Sequence, residues 1–213
     1  MLSDEKLFFV KEYFAEFREK VHRLDGLSRR SFREEALILC VVYIDYLASG
    51  TYYDGTDRNK ENFCRALCEL SHNDFFSAIH PKQLLKEAEK LGRDDVQSEI
   101  QQMLNEHPGR FLTQDEISQG IKSSPLPSTV KDALTKNLWR ASVSAICYTI
   151  IRCQSIHGPG HGIDLTFGET AFRGQPSVAI DFDLMYQALQ AIFSKVESDS
   201  LKTGEFFGNP QYR

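Results

Sequence analysis

The sequence has no long hydrophobic run and few of the residues that mark unusual protein classes. Its longest uncharged apolar stretch, Ala36 to Ile44, has nine residues, whereas a membrane-spanning helix needs about 20. With 13 glycines and 7 prolines in 213 residues, it is neither collagen-like nor of low complexity. Aromatic residues make up 11% of the chain, which argues against disorder. We expect one large globular domain that does not cross a membrane.

An excess of positive charge is also missing. The net charge of -5 argues against a protein that coats nucleic acid without specificity, although a small basic site can exist within an acidic body. The N-terminal residues MLSDEKLFFV are acidic where a signal peptide would be basic, so we expect a cytoplasmic protein. The glycine-rich nucleotide loops, the HExxH zinc motif and the GxSxG nucleophile motif are all absent.

Five cysteines are present, and none forms a CxxC pair. An odd number of cysteines within apolar helical patterns predicts reduced, buried thiols. Cys64, Cys68 and His72 follow each other at four-residue steps, and His80 is a conceivable fourth zinc ligand. Packing is the favoured interpretation, because helical cysteines are usually buried for packing alone.

The hydrophobic periodicity predicts a mainly α-helical fold. A first amphipathic helix runs from Leu7 to Leu24 and is ended by Gly26. Ser31 and Glu34 have the spacing of a capping box, which opens a second helix. That second helix is apolar nearly all round and should be the central buried one.

Further helices follow before the middle of the chain. We expect them at Arg58 to Leu70 and at Lys82 to Leu91. Thr113 and Glu116 form a second capping-box pattern. The surrounding polar segment, 92–127, reads as a peripheral helical insertion on a single domain spanning 1–213.

The most regular segment predicts one long core helix from Val130 to His157. Two apolar seams step along it by four and three residues. They are Leu134, Leu138, Ala141, Ala145, Tyr148, Arg152 and Trp139, Val143, Ile146, Ile150, Cys153, His157. Both seams close on a polar residue, and a Gly-Pro-Gly run then ends the helix.

The pattern changes after this helix. Alternating apolar residues between Ile163 and Ile180 predict a small β-hairpin. Asp181 should cap a last amphipathic helix, and the tail after Lys202 should be loose.

Arg152 and His157 are the residues best suited to phosphodiester chemistry. A histidine moves protons near neutral pH, and an arginine binds and stabilises a phosphate. An arginine followed by a histidine after four to six intervening residues is weak evidence alone, because Arg65 and His72 match that pattern too and chance supplies about one such pair. The alternative is that Arg152 and His157 merely cap the last helical turn.

Three more residues are candidates for auxiliary roles. Asp45 is the only charge in its apolar helix, so it needs a partner. Arg152 or His157 would make it a positioning group, whereas a tyrosine hydroxyl would make it purely structural. Ser155 is a second auxiliary candidate. His161 could reach substrate, although a plain loop residue is the favoured interpretation.

The pattern resembles the HEPN superfamily of small helical bundles, many of which are metal-independent ribonucleases with an R-x4-6-H motif on the last core helix. The resemblance covers most of the chain outside residues 92–127, and only Arg152 and His157 are diagnostic. Its segments are Arg33 to Leu47, Asn59 to Phe63, Ile150 to Gly158, and the predicted hairpin and helix after them. Cys153 stands where many members have a polar residue.

The resemblance implies a metal-independent endoribonuclease without a cofactor, and the role that we expect for it is that of a toxin or a phage-defence effector. His157 would act as acid and base, and Arg152 would stabilise the phosphate. The alternatives are a non-catalytic module that dimerises or binds RNA, and a helical adaptor or antitoxin-like partner. An antitoxin or a nucleotidyltransferase is a conceivable partner.

We also expect a homodimer with a composite site. In an α-helix, residues five positions apart lie roughly 140° apart, so Arg152 and His157 would not share a face. A second copy would supply the missing groups, as the HEPN resemblance also implies. The joining surface would include the end of the 130–157 helix and the exposed face of the first helix. Replacing Arg152 or His157 by alanine should abolish activity without unfolding the protein.

Overall fold

The computed structural model describes residues 4–56, 58–107, 110–154 and 180–208. This part of the chain is mainly helical, as the sequence predicts, and it contains no β-strand. Two isolated β-bridges join Ile79 to Leu112 and to Ser142. The predicted hairpin falls almost entirely on residues 163–179, which lie outside the described residues.

Nine α-helices make up most of the described chain. They are α1 (Asp4–Ser28), α2 (Arg33–Tyr52), α3 (Asn59–Leu70), α4 (Pro81–Glu89), α5 (Asp94–Asn105), α6 (Gln114–Ser123), α7 (Ser128–Asn137), α8 (Val143–Cys147) and α9 (Phe182–Thr203). Short 3₁₀ turns occur at Asp74–Ser77, Leu138–Ala141 and Phe206–Gly208, and a π-helical segment spans Tyr148–Gln154.

The chain divides into two compact units. The first contains the described residues up to Asn73, those from Ile150 to Gln154 and those from Ile180 onward. The second contains the described residues from Asp74 to Thr149. The sequence-based division into one domain with an insertion at 92–127 stays a prediction.

Helix α2 is the centre of the first unit. It packs against α1, α3 and α9, and eight of its 20 residues are buried. Helix α1 contributes Val10, Phe14, Phe17 and Val21, whose steps of four and three residues form one helix face. The prediction of a central buried second helix is confirmed.

Among the described residues, α2 is also the one helix long and apolar enough to cross a membrane by length and composition. Of the window that meets this criterion, 44% is buried inside the protein. The core helix of a soluble protein meets the same criterion, so this is weak evidence for a membrane. The predicted cytoplasmic location stays a prediction.

The junction between α1 and α2 differs from the prediction. Helix α1 continues through Gly26 to Ser28. Ser31 then adopts a left-handed φ of 70°, and the Phe32 amide bonds back to the Leu27 carbonyl. This reversal takes Ser31 out of cap geometry, so Phe32 precedes α2 without any side-chain cap. The predicted capping box at Ser31 and Glu34 is therefore wrong.

The predicted long helix from Val130 is broken at Ser142. Ser142 has extended backbone angles, φ -71° and ψ 158°, and its hydroxyl caps α8 by accepting from the Ala145 amide. The neighbouring backbone is bonded elsewhere, because the Val143 amide donates to Ala78 and the Ala141 carbonyl accepts from His80. These long-range bonds replace helical ones, which apolar periodicity cannot reveal.

The second unit has its own apolar core. Residues from 92–127 supply much of it, so this segment is well packed within the unit. The buried members of the cluster from that segment are Val96, Ile100, Met103, Leu104, Leu112, Ile117, Ile121 and Leu126. They pack with Leu84, Leu134 and Leu138.

Both ends of α9 can be compared with the prediction. Asp181 caps it as predicted, its carboxylate accepting from the Leu184 amide at 2.8 Å. The helix ends at Gly204 in a left-handed conformation, φ 67°. The prediction of a loose tail after Lys202 is wrong as far as Gly208, because Phe207 is buried against the aromatic side chains of α1 and α2.

The two capping-box patterns give a stability test. Thr113 and Glu116 form the full reciprocal box at the start of α6, so Thr113→Ala should lower the free energy of unfolding by about 1 kcal/mol. Ser31 makes no cap and has a positive φ, so Ser31→Gly should raise it by about 0.5 kcal/mol. Urea denaturation measures both. If Ser31→Gly lowered the free energy of unfolding instead, Ser31 would have to act as the cap of α2.

Candidate functional site

Arg152 lies in the π-helical segment that follows α8. π-Helical hydrogen bonds join residues five positions apart, and such segments occur frequently at functional sites. The α-helical geometry assumed for the 140° separation of Arg152 and His157 therefore does not hold as far as Gln154. The side chain of Arg152 is 24% exposed, so solvent reaches it.

Asp45 holds Arg152 from the middle of α2. The Arg152 Nε donates to Asp45 Oδ2 at 3.1 Å, and the Asp45 side chain is 15% exposed. The two residues are 107 positions apart in sequence. This is the pairing that the isolated charge in an apolar helix predicts, with Arg152 as the partner.

The Asp45 carboxylate is incompletely satisfied. Its Oδ1 atom is buried and has no hydrogen-bond partner among the described residues. Burial raises the pKa of Asp45 above its ordinary value of 3.8, and the nearby Arg152 lowers it by less. Desolvation therefore outweighs the ion pair, which is a poor way to gain stability.

The pKa of Asp45 gives a test through the pH dependence of stability. In the folded protein the carboxyl binds a proton more tightly than in the unfolded chain, so its contribution to stability falls as pH rises from about 3.8 through the raised pKa. Asp45→Asn removes this titration. The free energy of unfolding of wild type minus that of Asp45→Asn should fall over this range in urea titrations. A difference that rises instead would mean that Arg152 keeps Asp45 ionised.

Tyrosine hydroxyls were the alternative partners for Asp45. In the first unit, Tyr46 is bonded instead to the hydroxyl of Tyr13, with the oxygens 2.7 Å apart. The tyrosine pair belongs to an aromatic cluster of α1, α2 and the last 3₁₀ turn. The described contacts of Asp45 thus favour the positioning interpretation.

Ser155, His157 and His161 lie outside the described residues. Their roles, and the distance between Arg152 and His157, stay predictions.

The second Arg–His match has a different setting. Arg65 bonds Glu69 at 3.2 Å and lies 4.1 Å from the centre of the Tyr52 ring. His72 is exposed at a positive φ of 55°. Arg65 is therefore held by Glu69 and Tyr52 on the exposed side of α3. The Arg65–His72 pair serves as a matched control for Arg152 and His157.

The cysteines behave as buried thiols where they are described. Cys40, Cys64 and Cys147 are buried and Cys68 is half-buried, all four unbridged. Burial raises the pKa of Cys40 to about 12, so the thiol stays protonated near neutral pH. Within the described ranges, no three histidine, cysteine or acidic side chains are grouped to hold a metal ion, including Cys64, Cys68 and His72.

Sequence reasoning located the Arg152–Asp45 pair but missed the π-helix that carries Arg152, because apolar steps of three and four residues do not separate α from π turns.

No protein-family model matches this chain, and neither a curated protein nor a solved structure is significantly similar to it.

Proposed function

We propose that the protein is a metal-independent endoribonuclease of the HEPN type, with Arg152 and His157 as its catalytic residues. The observation that carries the proposal is the half-buried Asp45–Arg152 pair. It holds an arginine at a partly exposed position, five residues before a histidine in the sequence. The resemblance of the sequence pattern to the HEPN superfamily supports the same assignment.

The proposed chemistry needs only groups that the chain and RNA supply. The 2′-hydroxyl loses a proton and attacks the adjacent phosphorus, the new O–P bond forms, and the bond to the 5′-oxygen breaks as that oxygen gains a proton. His157 moves a proton, and Arg152 stabilises the charge on the phosphate. The products are a 2′,3′-cyclic phosphate and a 5′-hydroxyl.

A second copy of the chain completes the proposed site. One histidine does not readily act as base and acid in the same step, so a two-fold axis would supply a second His157. Phe8 and Phe9 of α1 are 56% and 55% exposed on the helix expected to join the two copies. The same proposal includes the biological role, in which the ribonuclease acts as a toxin or a phage-defence effector.

The test is incubation of the protein with total RNA in EDTA. Wild type should cleave RNA, and His157→Ala should reduce the cleavage rate by about 10²–10⁴-fold. The new 3′ ends should carry a cyclic phosphate, which blocks ligation to a 5′-phosphorylated adaptor until the phosphate is removed. The matched controls are Arg65→Ala and His72→Asn, which change the other R-x4-6-H pair of the chain and should cleave normally. Asparagine suits the left-handed backbone of His72.

Two results would contradict the proposal. Cleavage that persists unchanged in His157→Ala would place the active site elsewhere. RNA binding without cleavage by wild type would favour the non-catalytic module, consistent with Cys153 following Arg152.

A further inference from the structure

The side of α1 that faces solvent carries both charged and aromatic residues. Helix α1 packs against α2 and α9, and its buried residues share one side of the helix. On another side, an arc of about 100° contains the exposed residues Phe9, Glu16, Glu19, Lys20 and Arg23. We call these five residues the outer face of α1.

Charges of opposite sign occupy opposite ends of this helix. In the part of the chain that the structure describes, the exposed charges without an ion pair are Asp4, Glu5, Lys11, Glu12, Glu16 and Glu19 before position 20, and Lys20, Arg23 and Arg30 after it. The other cations of the region are already paired, Lys6 with Glu205, Arg18 with Glu197, Arg29 with Asp25 and Arg33 with Asp183. The charges that remain for a partner are therefore mainly acidic toward the N-terminus of α1 and basic toward its C-terminus.

This pattern is complementary to itself when two copies of α1 lie antiparallel. Glu16 and Arg23 are placed symmetrically about the midpoint between positions 19 and 20, as are Glu19 and Lys20. A two-fold axis at that midpoint brings each of these acidic residues opposite a basic residue of the second copy, and the contact is the same on both copies. A parallel arrangement would instead place Glu16 against Glu16 and Arg23 against Arg23.

The exposed aromatic residues fit the same arrangement. Phe9 and Arg30 are symmetric about the same midpoint, so the guanidinium of one copy would meet the phenylalanine ring of the other in a cation–π contact. Phe8 and Phe32 come within one position of this symmetry and are 56% and 49% exposed. Pairing would remove these rings from water, which favours association.

We propose that the outer face of α1 binds the outer face of α1 in a second copy of the chain, antiparallel, with the two-fold axis between Glu19 and Lys20. The choice of a second copy over another protein rests on the self-complementary charge pattern. Exposed ion pairs are individually weak, so we expect an association in the micromolar range that salt weakens. The contact requires neither RNA nor catalysis and therefore goes beyond the proposed function.

The test is sedimentation velocity of the full chain at low salt over a range of micromolar concentrations, without RNA. Glu16→Lys with Glu19→Lys makes the charges of the outer face all basic, and Lys20→Glu with Arg23→Glu makes them all acidic. Each double variant should raise the dissociation constant of the dimer at least about tenfold, because like charges then face each other. An equimolar mixture of the two double variants should associate as wild type does.

Two further variants separate orientation and net charge from a general loss of association. The chain with all four substitutions reverses every charge of the outer face but keeps the antiparallel complementarity, so it should associate as wild type does. The control is Glu106→Lys with Asp132→Lys, which changes two exposed acidic residues of the second unit. It alters the net charge as much as the all-basic variant and should leave association unchanged.

A monomeric wild type would overturn the proposal, as would a mixture of the double variants that stays monomeric. Equal association by wild type and the all-basic variant, or equal weakening by the control, would also overturn it. The two proposals fail separately. Wild type that associates through α1 without cleaving RNA would contradict the ribonuclease alone, and cleavage by a dimer that is insensitive to the outer-face substitutions would contradict the α1 contact alone.

Discussion

Replacing Asp45 by leucine and Arg152 by methionine together should lower RNA cleavage on the order of 10²–10³-fold while the protein stays folded. The loss of activity follows from removing the cation that stabilises the phosphate. The fold should survive because the exchange removes both charges of a largely buried pair at once. Replacement of such pairs by apolar residues of similar size is often neutral or stabilising by about 1–4 kcal/mol.

Arg152→Ala alone should behave differently. It leaves the carboxylate of Asp45 desolvated without the cation that lowers its pKa. Breaking a fully buried pair costs about 3–5 kcal/mol, and the residual exposure of 24% and 15% reduces the expected loss to about 2 kcal/mol. We therefore expect Arg152→Ala to remain folded but to be measurably less stable, and urea denaturation of the single and double variants measures the difference.

Arg152→Lys provides the control for charge. Lysine retains the positive charge but not the planar guanidinium that binds a phosphate through two hydrogen bonds. Stability should change little while cleavage falls. A double variant that is folded and cleaves RNA normally would show that the Asp45–Arg152 pair is structural and that the proposed site is wrong.

The residues of this pair could be predicted from sequence because each breaks an apolar pattern. Asp45 is the only charge in an apolar stretch, and Arg152 ends an apolar seam. Burial makes an isolated charge costly, so each needs a partner, and the structure joins them. The local signal sufficed here since the cost of an unpaired charge does not depend on the details of the fold.

The helix breaks could not be predicted in the same way. At Ser142 the decisive interactions are backbone bonds to Ala78 and His80, more than 60 positions away. At Ser31 the reversal of the chain after α1 gives the residue a positive φ, and this backbone conformation overrides the local capping pattern. By contrast, Thr113 and Asp181 cap their helices as predicted, because nothing distant competes for their backbone.

Gly50→Ala should destabilise the protein, whereas Gly26→Ala should stabilise it. Both glycines lie inside helices, where alanine is intrinsically favoured by about 1 kcal/mol. A β-carbon at Gly26 would meet no atom within 4 Å. At Gly50 it would lie 2.5–2.7 Å from ring carbons of Phe207, so the ring or α2 would have to move.

The size of the Gly50 effect depends on how firmly Phe207 is held. Its ring contacts Tyr13, Phe14 and Tyr46, with centroid distances of 5.6–6.4 Å, and overpacking of such a core costs about 1–3 kcal/mol. The cost is offset in part by the helix-propensity gain of about 1 kcal/mol, so Gly50→Ala should lower the free energy of unfolding by up to about 2 kcal/mol. In a Phe207→Leu background the loss should shrink, because a smaller side chain leaves room for the methyl group. Urea denaturation of the four variants measures this coupling, and equal losses from Gly50→Ala in both backgrounds would mean that Phe207 does not pack on Gly50 in solution.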